Sequence, residues 1–335
     1  MGLARSQAPG DRRKEPLVGV VLLNYNNDRD TIDCLHSLER VKWSNLFVVI
    51  VDNASANDSV VRLRTAIAKN EMSIVLIENK QNLGFAAGNN IGIRECLKKG
   101  CQYVMVLNND TVVEKGFLDP LVSFWEKEGK RKKIGALTGK ILYYDRPTIL
   151  WYAGGKGFIQ LTRYRRIGEG EPETRHSRIR EVKTFSGCFV LFSREILENV
   201  GLFDEDFFFG EEDIEYSYRL RKNGFRIYYI PDSKIWHKVG RTRNLSPAQI
   251  YNGYISGFLL AKKVLPPWRE RIFRWCYKHF LLLTGWLRYK RKKDIAISCR
   301  TYYNILRKVI QDADTKNSLT EQDWKEINQK FGEEK

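Results

Sequence analysis

The chain has 335 residues, 43% of them hydrophobic, which is room for one large α/β domain with an appendage and argues against global disorder. Its net charge of +17 points to an acidic partner such as nucleic acid, an anionic membrane or a phosphorylated substrate. The six cysteines form no CxxC pair and no metal-finger spacing, and reduced thiols in a cytosolic compartment are expected. Residues 1–16 are polar and read as a disordered leader without a signal peptide. The continuous apolar run LVGVVLLNY (17–25) suits a strand covered on both faces. A helix over Thr31–Val41, a strand at 45–55, a helix over Asp58–Asn70, a strand at 73–79, a helix over Ala86–Lys99 and a strand at 103–110 follow. This alternation predicts a doubly wound, mostly parallel sheet with helices on both faces. Polar residues gather at the carboxyl ends of its strands, where such sheets bind ligands: Asn24, Tyr25, Asn26, Asp52, Asn82, Asn108, Asn109 and Asp110.

Farther along, residues 151–183 are rich in Gly, Arg and Glu and read as irregular. A buried strand is expected at 184–193, a helix at 212–224 and a strand at 225–231 that Pro231 stops. From about 245 the chain is helical, basic and aromatic, and residues 312–335 read as a polar, peripheral tail.

Three clusters can carry chemistry. The LNND segment ends a strand in a carboxylate, Asp110, able to hold a divalent cation, although a strand-terminal Asp is also a common turn or cap. Asp52 in VDNAS is equally compatible with an Asx-turn. In NLGFAAGNN, Gly84 and Gly88 would let a ligand approach the backbone at a helix N-terminus, which favours an anion. The second cluster is GEEDIEYSYRLRKNG, whose acids complement a helix dipole but also follow Phe207–Phe209, an apolar approach that can exclude water from a general base. In it, Glu211 and Glu215 are expected to be solvated or to face an acceptor. The third is IWHKVG, which places His237 just past the strand returning from the acidic helix.

In order and spacing, VVLLNYN, VVIVDNAS, NLGFAAGNN, VMVLNND, FSGCFVLFSREILENVGLFDEDFF, GEEDIEYSYRLRKNGFRI and WHKVG resemble glycosyltransferase family 2 over about residues 17–242, in its rhamnosyltransferase-like branch. The resemblance implies the GT-A fold, a catalytic domain at 17–244 and an inverting transfer from a nucleotide-diphosphate sugar. It implies donor contacts from Asn24, Tyr25, Asn26, Asp52, Asn82, Gly84, Asn108 and Asn109. It makes Asp213 the base beside Glu212, puts Gly187 and Trp236 near the acceptor or sugar, and assigns a divalent metal, Mn²⁺ or Mg²⁺, to Asp110 and His237. The sequence departs from the family's Asp-x-Asp-like motif, with Asn at its first two positions, which leaves a catalytically degenerate binding module as the alternative. A nucleotidyltransferase would carry a Gly-rich basic loop where this chain has NYNNDRD. The branch suggests dTDP-rhamnose as donor and a lipid-linked or cell-surface glycan as acceptor.

Residues 245–311 form a basic helical region, and within 262–308 stand 14 lysines and arginines against two acids, interleaved with aromatic residues. That pattern suits a helix lying on an anionic membrane, with packing on the catalytic domain as the other reading. No recognition motif accompanies the charge, so nucleic acid is not expected. The corresponding address is cytoplasmic, peripheral on the inner face of the cell membrane.

Overall fold

The computed structural model describes residues 15–158, 163–239, 245–291, 295 and 297–332; the rest of the expected leader lies outside them. The apolar runs form four parallel strands, β1 (Val18–Asn24), β2 (Leu46–Asp52), β3 (Ser73–Glu78) and β4 (Tyr103–Asn108), in the order β4-β1-β2-β3. Strand β1 is buried on both sides because two helices use its alternating faces. Gly19, Val21 and Leu23 meet Cys96, Gly92 and Gly88 of α3 (Gly84–Lys99), while Asn24 meets Thr31 of α1 (Asp28–Leu38). Helix α1 starts three residues earlier than expected, with Asp28 and Asp30 in its first turn, where carboxylates favour the dipole. Between β2 and β3 lies α2 (Ser59–Ile67).

The second half adds β5 (Thr111–Val113), α4 (Asp119–Lys132), β6 (Ile134–Tyr143), β7 (Leu150–Tyr152), β8 (Gly155–Phe158), β9 (Arg163–Arg166), β10 (Arg180–Val182), β11 (Phe189–Ser193), α5 (Arg194–Val200), α6 (Glu212–Lys222) and β12 (Arg226–His237). The sheet continues as β4-β11-β6-β12-β10, with β11 antiparallel to β4 and β12 parallel to β6. Two expectations change here. The irregular stretch 151–183 supplies short strands, including the β8–β9 ribbon. At three or four residues each, in Gly- and Arg-rich sequence, these carry no legible alternation. Pro231 does not end its strand: the register shifts between Ile230 and Lys234, and this bulge absorbs the missing N–H while β12 runs on to His237.

The C-terminal region is α7 (Pro247–Val264), α8 (Pro267–Arg291), α9 (Cys299–Asp312) and α10 (Glu321–Gly332). These four helices share a second apolar core with Phe207, Phe208 and Ile214 of the catalytic half. The segment expected to be a peripheral tail is docked instead: Ile327 and Phe331 are buried, and Trp324 packs on Phe208 with ring centroids 5.5 Å apart. Among the described residues no helix is long and apolar enough to cross a membrane. None of the six cysteines is in a disulfide.

Candidate active site

The carboxyl ends of β1, β2 and β4 open into a cleft of ≈ 270 Å³ bordered by Tyr25, Asn27, Asn53, Asn82, Asn109 and Phe209. Gln249 of α7 and Trp324 of α10 close its far side. Of the residues expected to contact a donor, Tyr25, Asn82, Gly84 and Asn109 line this cleft. Asn24, Asn26 and Asp52 instead hold its walls. The Asp52 carboxylate is 1% exposed and accepts from Asn24 Nδ2 at 2.7 Å, from the Ser55 hydroxyl at 2.7 Å and from the Ser55 amide at 2.9 Å. Three donors, two of them from its own Asx-turn, hold the group in place. Asn26 adopts φ +55° and caps the Ala56 amide. Asn109 Nδ2 donates to Thr31 Oγ1 at 2.8 Å, and the Asn108 carbonyl accepts from Thr111 Oγ1 at 2.7 Å.

The glycines serve protein contacts. A Cβ on Gly84 would stand 2.7 Å from Phe208 Cδ2, and Leu23 fills the space beside Gly88. The close approach expected of a ligand is made by the chain itself, with Phe85 N–H donating to Phe208 O at 2.6 Å. Asn53, one of the polar residues at the strand ends in VDNAS, is the hub: its amide bonds Asn82 Oδ1 at 2.7 Å and Gly84 O at 3.1 Å, and its Oδ1 accepts from Asn79 and Leu83.

A second cleft, ≈ 190 Å³, lies beside the first and contains Asp213 with Trp151, Tyr164, Arg166 and Ser186. Gly187 joins the two. Its amide donates to Asp213 Oδ2 at 3.1 Å, and a Cβ there would meet Phe85 of the first cleft at 3.0 Å and Glu212 Oε1 at 3.7 Å. Glu212 is 5% exposed with Oε2 unpartnered. Burial, then the neighbouring Asp213 charge, push its carboxyl far above the usual range. Burial also raises Asp213, while N–H donors from Gly187 and Ile214 pull the other way. Glu211 and Glu215 are not free: Glu211 binds the Tyr164 hydroxyl, and Glu215 pairs with Arg219 at 2.8 Å. Burial lifts the Glu211 carboxyl to about 7, against the Tyr164 bond that lowers it.

At the other side of Trp151, the His237 ring packs edge-on to the indole at 4.7 Å, and its Nε2 lies 3.1 Å from Asp110 Oδ1. Burial works against the imidazolium, but Cys188 and Asp110 outweigh it and raise the ring's pKa. Lys238 fixes this corner. Its amide donates to Asp110 O, and its ammonium reaches Asp30 at 2.7 Å and Asp33 at 2.6 Å on α1. Among the described residues no group of three or more His, Cys, Asp or Glu comes together around a metal. The pair nevertheless fits two ligands of an oxygen-preferring ion. Asp110 Oδ1 is buried without a hydrogen bond and stands 3.1 Å from His237 Nε2, and adjacent ligands of an octahedral ion stand about 3 Å apart. Trp236 is not part of this grouping: successive strand residues face opposite ways, and its indole donates to Pro147 O at 3.1 Å.

The fold and its clefts match known proteins. The family model described as "Glycosyltransferase like family 2" covers residues 16–251. A dTDP-rhamnosyl transferase, RfbF, of Shigella flexneri is 27% identical over 284 residues, covering 79% of this chain and 88% of the relative. Poly-beta-1,6-N-acetyl-D-glucosamine synthase of Staphylococcus aureus is 29% identical over 234 residues, 69% of this chain; the chain spans 53% of that relative's length. Among solved structures, GalNAc-T7 with UDP, GalNAc and Mn²⁺ superposes with a TM-score of 0.58 at 17% identity, covering 96% of this chain and 59% of that one. The mannosyltransferase PcManGT of Pyrobaculum calidifontis, in complex with GDP-Man and Mn²⁺, gives 0.51 at 18% identity, covering 90% and 87%. With the family model covering most of the chain and the same sheet shared with these enzymes, the chain belongs to glycosyltransferase family 2 and has the GT-A fold.

Proposed function

We propose that the chain moves a sugar, rhamnose from dTDP-rhamnose in the favoured reading, from a nucleotide-diphosphate donor to a hydroxyl of a lipid-linked or cell-surface glycan, with inversion. The observation that carries this is Gly187, which touches both the asparagine-lined cleft and the acid pair. The first cleft takes the nucleotide, with Tyr25, Asn82 and Asn109 at its surface and Asn24, Asn26, Asp52 and Asn53 keeping it in shape. The sugar then lies toward Gly187, and the acceptor enters the cleft of Asp213.

Asp213 is the base. Gly187 holds Oδ2 of its carboxylate, and the carboxylate takes the acceptor's proton as the new glycosidic bond forms and the bond to the diphosphate breaks. Glu212 is the poorer candidate, because burial and the Asp213 charge both favour its protonated form while N–H donors hold Asp213 toward the carboxylate. One base and no nucleophile gives a single displacement and hence inversion. Base catalysis of this kind contributes about 10²–10⁴ in rate. Asp110 and His237 would hold the divalent cation, Mn²⁺ or Mg²⁺, which when bound offsets the charge growing on the departing diphosphate. The name of the Shigella flexneri relative, of whose length 88% is covered, supports the donor. The poly-beta-1,6-N-acetyl-D-glucosamine named for the Staphylococcus aureus relative supports a glycan as acceptor, and an address on the inner face of the cell membrane goes with that reading.

The test is calorimetric titration with dTDP- and UDP-sugars, with and without Mn²⁺, followed by transfer to lipid-linked acceptors. Metal-dependent binding of dTDP-rhamnose with turnover is expected. Tight donor binding with no transfer to any acceptor would favour a degenerate binding module; failure to bind every nucleotide sugar would overturn the reading.

A further inference from the structure

Helix α8 is 25 residues long, about 37 Å at 1.5 Å per residue, and it has two apolar faces. Phe273, Tyr277 and Leu281 face inward; Phe273 and Tyr277 both pack on Phe258 of α7. On the opposite face stand Trp268, Ile272, Trp275, Leu283 and Trp286, in phase with the helical repeat, flanked by Phe280 and Leu287. All seven are between 37% and 60% exposed, and they are seven of the twelve exposed large hydrophobics among the described residues. A stripe of this density marks an interaction surface.

The charges around it identify the partner. Among the described residues, most of the cations near α8 that the basic composition suggested for a membrane are used in contacts within the fold. Arg274 binds Glu270 and Asp314, Lys278 binds Asp314, Lys263 binds Asp204 and Asp206, and Arg288 lies over Tyr254. Those left at the outer face, among the described residues, accompany the indoles: Arg269 over Trp268 at 4.9 Å and Lys290 over Trp286 at 4.0 Å, with Arg271 exposed beside them. The only acid in α8, Glu270, is paired inward with Arg274. Two copies meeting through this face would therefore bring cations of two +17 chains together with no acid of the helix to answer them. Tryptophan with Arg and Lys is the composition of a bilayer interface.

We propose that the outer face of α8 lies flat in the interfacial layer of an anionic lipid bilayer, held chiefly by its tryptophans. Charge plays the smaller part. The next helix inward, α7, carries Phe258 against α8 and Asn252 against the Phe209 carbonyl, so one helix layer, about 10 Å, separates the bilayer from the loop that enters Glu212 and Asp213. Docking would hold a lipid-borne acceptor close to the base. The purpose of docking rests on the acceptor half of the proposed function; binding to lipid is measured without any acceptor.

The experiment is co-sedimentation of the full chain with phosphatidylcholine vesicles, with and without phosphatidylglycerol, joined to quenching of tryptophan fluorescence by brominated lipid. The wild type should bind the mixed vesicles and be quenched. Trp268→Ser, Trp275→Ser and Trp286→Ser combined should weaken binding at least about tenfold, whereas Arg269→Gln with Lys290→Gln should remove only the salt-sensitive part. Circular dichroism and dTDP binding with Mn²⁺ identify correctly folded variants, since none of these side chains lies in a core. Wild type that ignores mixed vesicles, or a triple variant that binds them as the wild type does, overturns the proposal. So does a lipid-independent dimer that the triple variant dissolves. Loss of nucleotide binding in the wild type would strike the catalytic reading and leave the docking face standing.

Discussion

Gly84→Ala tests whether the donor cleft is shaped by contact between α3 and the Phe208 backbone. Gly84 sits at φ +79°, where an L side chain costs about 1–2 kcal/mol. Its new methyl would stand 2.7 Å from Phe208 Cδ2 and 2.9 Å from the Phe208 carbonyl carbon, with the oxygen closer still, so the backbone must move. Overpacking of this sort costs about 1–3 kcal/mol, and the Phe85 N–H to Phe208 O bond adds about 1 kcal/mol if it breaks. The total is about 3–6 kcal/mol. Gly100, at the other end of the same helix, is the control: φ is +92° but no atom lies within 4 Å of its Cβ position, so Gly100→Ala should cost only the conformational share, about 1–2 kcal/mol. Urea unfolding of both variants reads the difference, and dTDP titration should show weakened binding for Gly84→Ala alone, because Phe208 and Phe209 border the cleft. Equal losses in the two variants would refute the contact argument.

Asp213→Asn should keep donor affinity and the Gly187 bond while losing about 10²–10⁴ in turnover, and Glu212→Gln should lose far less; steady-state transfer on both variants separates them. Asp110→Ala and His237→Ala should each abolish the Mn²⁺ dependence of donor binding in calorimetry, and dependence that survives in both would remove that pair as the metal site. The Glu211 carboxyl is raised to about 7, so between roughly pH 4.5 and 7 the folded chain holds a proton that the unfolded chain has lost, and stability falls as pH rises through that window. Glu211→Gln, which keeps a partner for Tyr164, should therefore flatten the decline and leave the variant more stable than wild type at pH 8, measured as unfolding midpoints across pH.

The parallel half of the sheet was legible because β1, β2 and β4 are covered on both faces and read as unbroken apolar runs with polar ends. Strand β6 is also an almost wholly buried run, Ile134–Tyr143, yet it drew no expectation, because no motif adjoins it. The β8–β9 ribbon is visible only as pairing between distant residues. In the site, Asp213, Glu212, Gly187, Asp110 and His237 were all named from local motifs, and the fold groups them around Trp151 and Phe85. Asp52 stayed open between two readings because a carboxylate at a strand end looks the same whether a ligand or its own turn uses it, and the structure shows the turn. Gln249 and Trp324 were missed as cleft residues since they arrive from helices far along the chain. For α10 a signal existed: Trp324, Ile327 and Phe331 recur at helical spacing inside a polar segment.

The helical bundle's grip on the loop before α6 bears on how such enzymes can be recombined. The family's shared unit ends at residue 251, inside α7, while one wall of the donor cleft comes from Trp324. Grafting the C-terminal helices of one relative onto another would thus exchange part of the nucleotide site along with the surface outside it. Donor choice and the place where the enzyme works would be inherited together, as one segment.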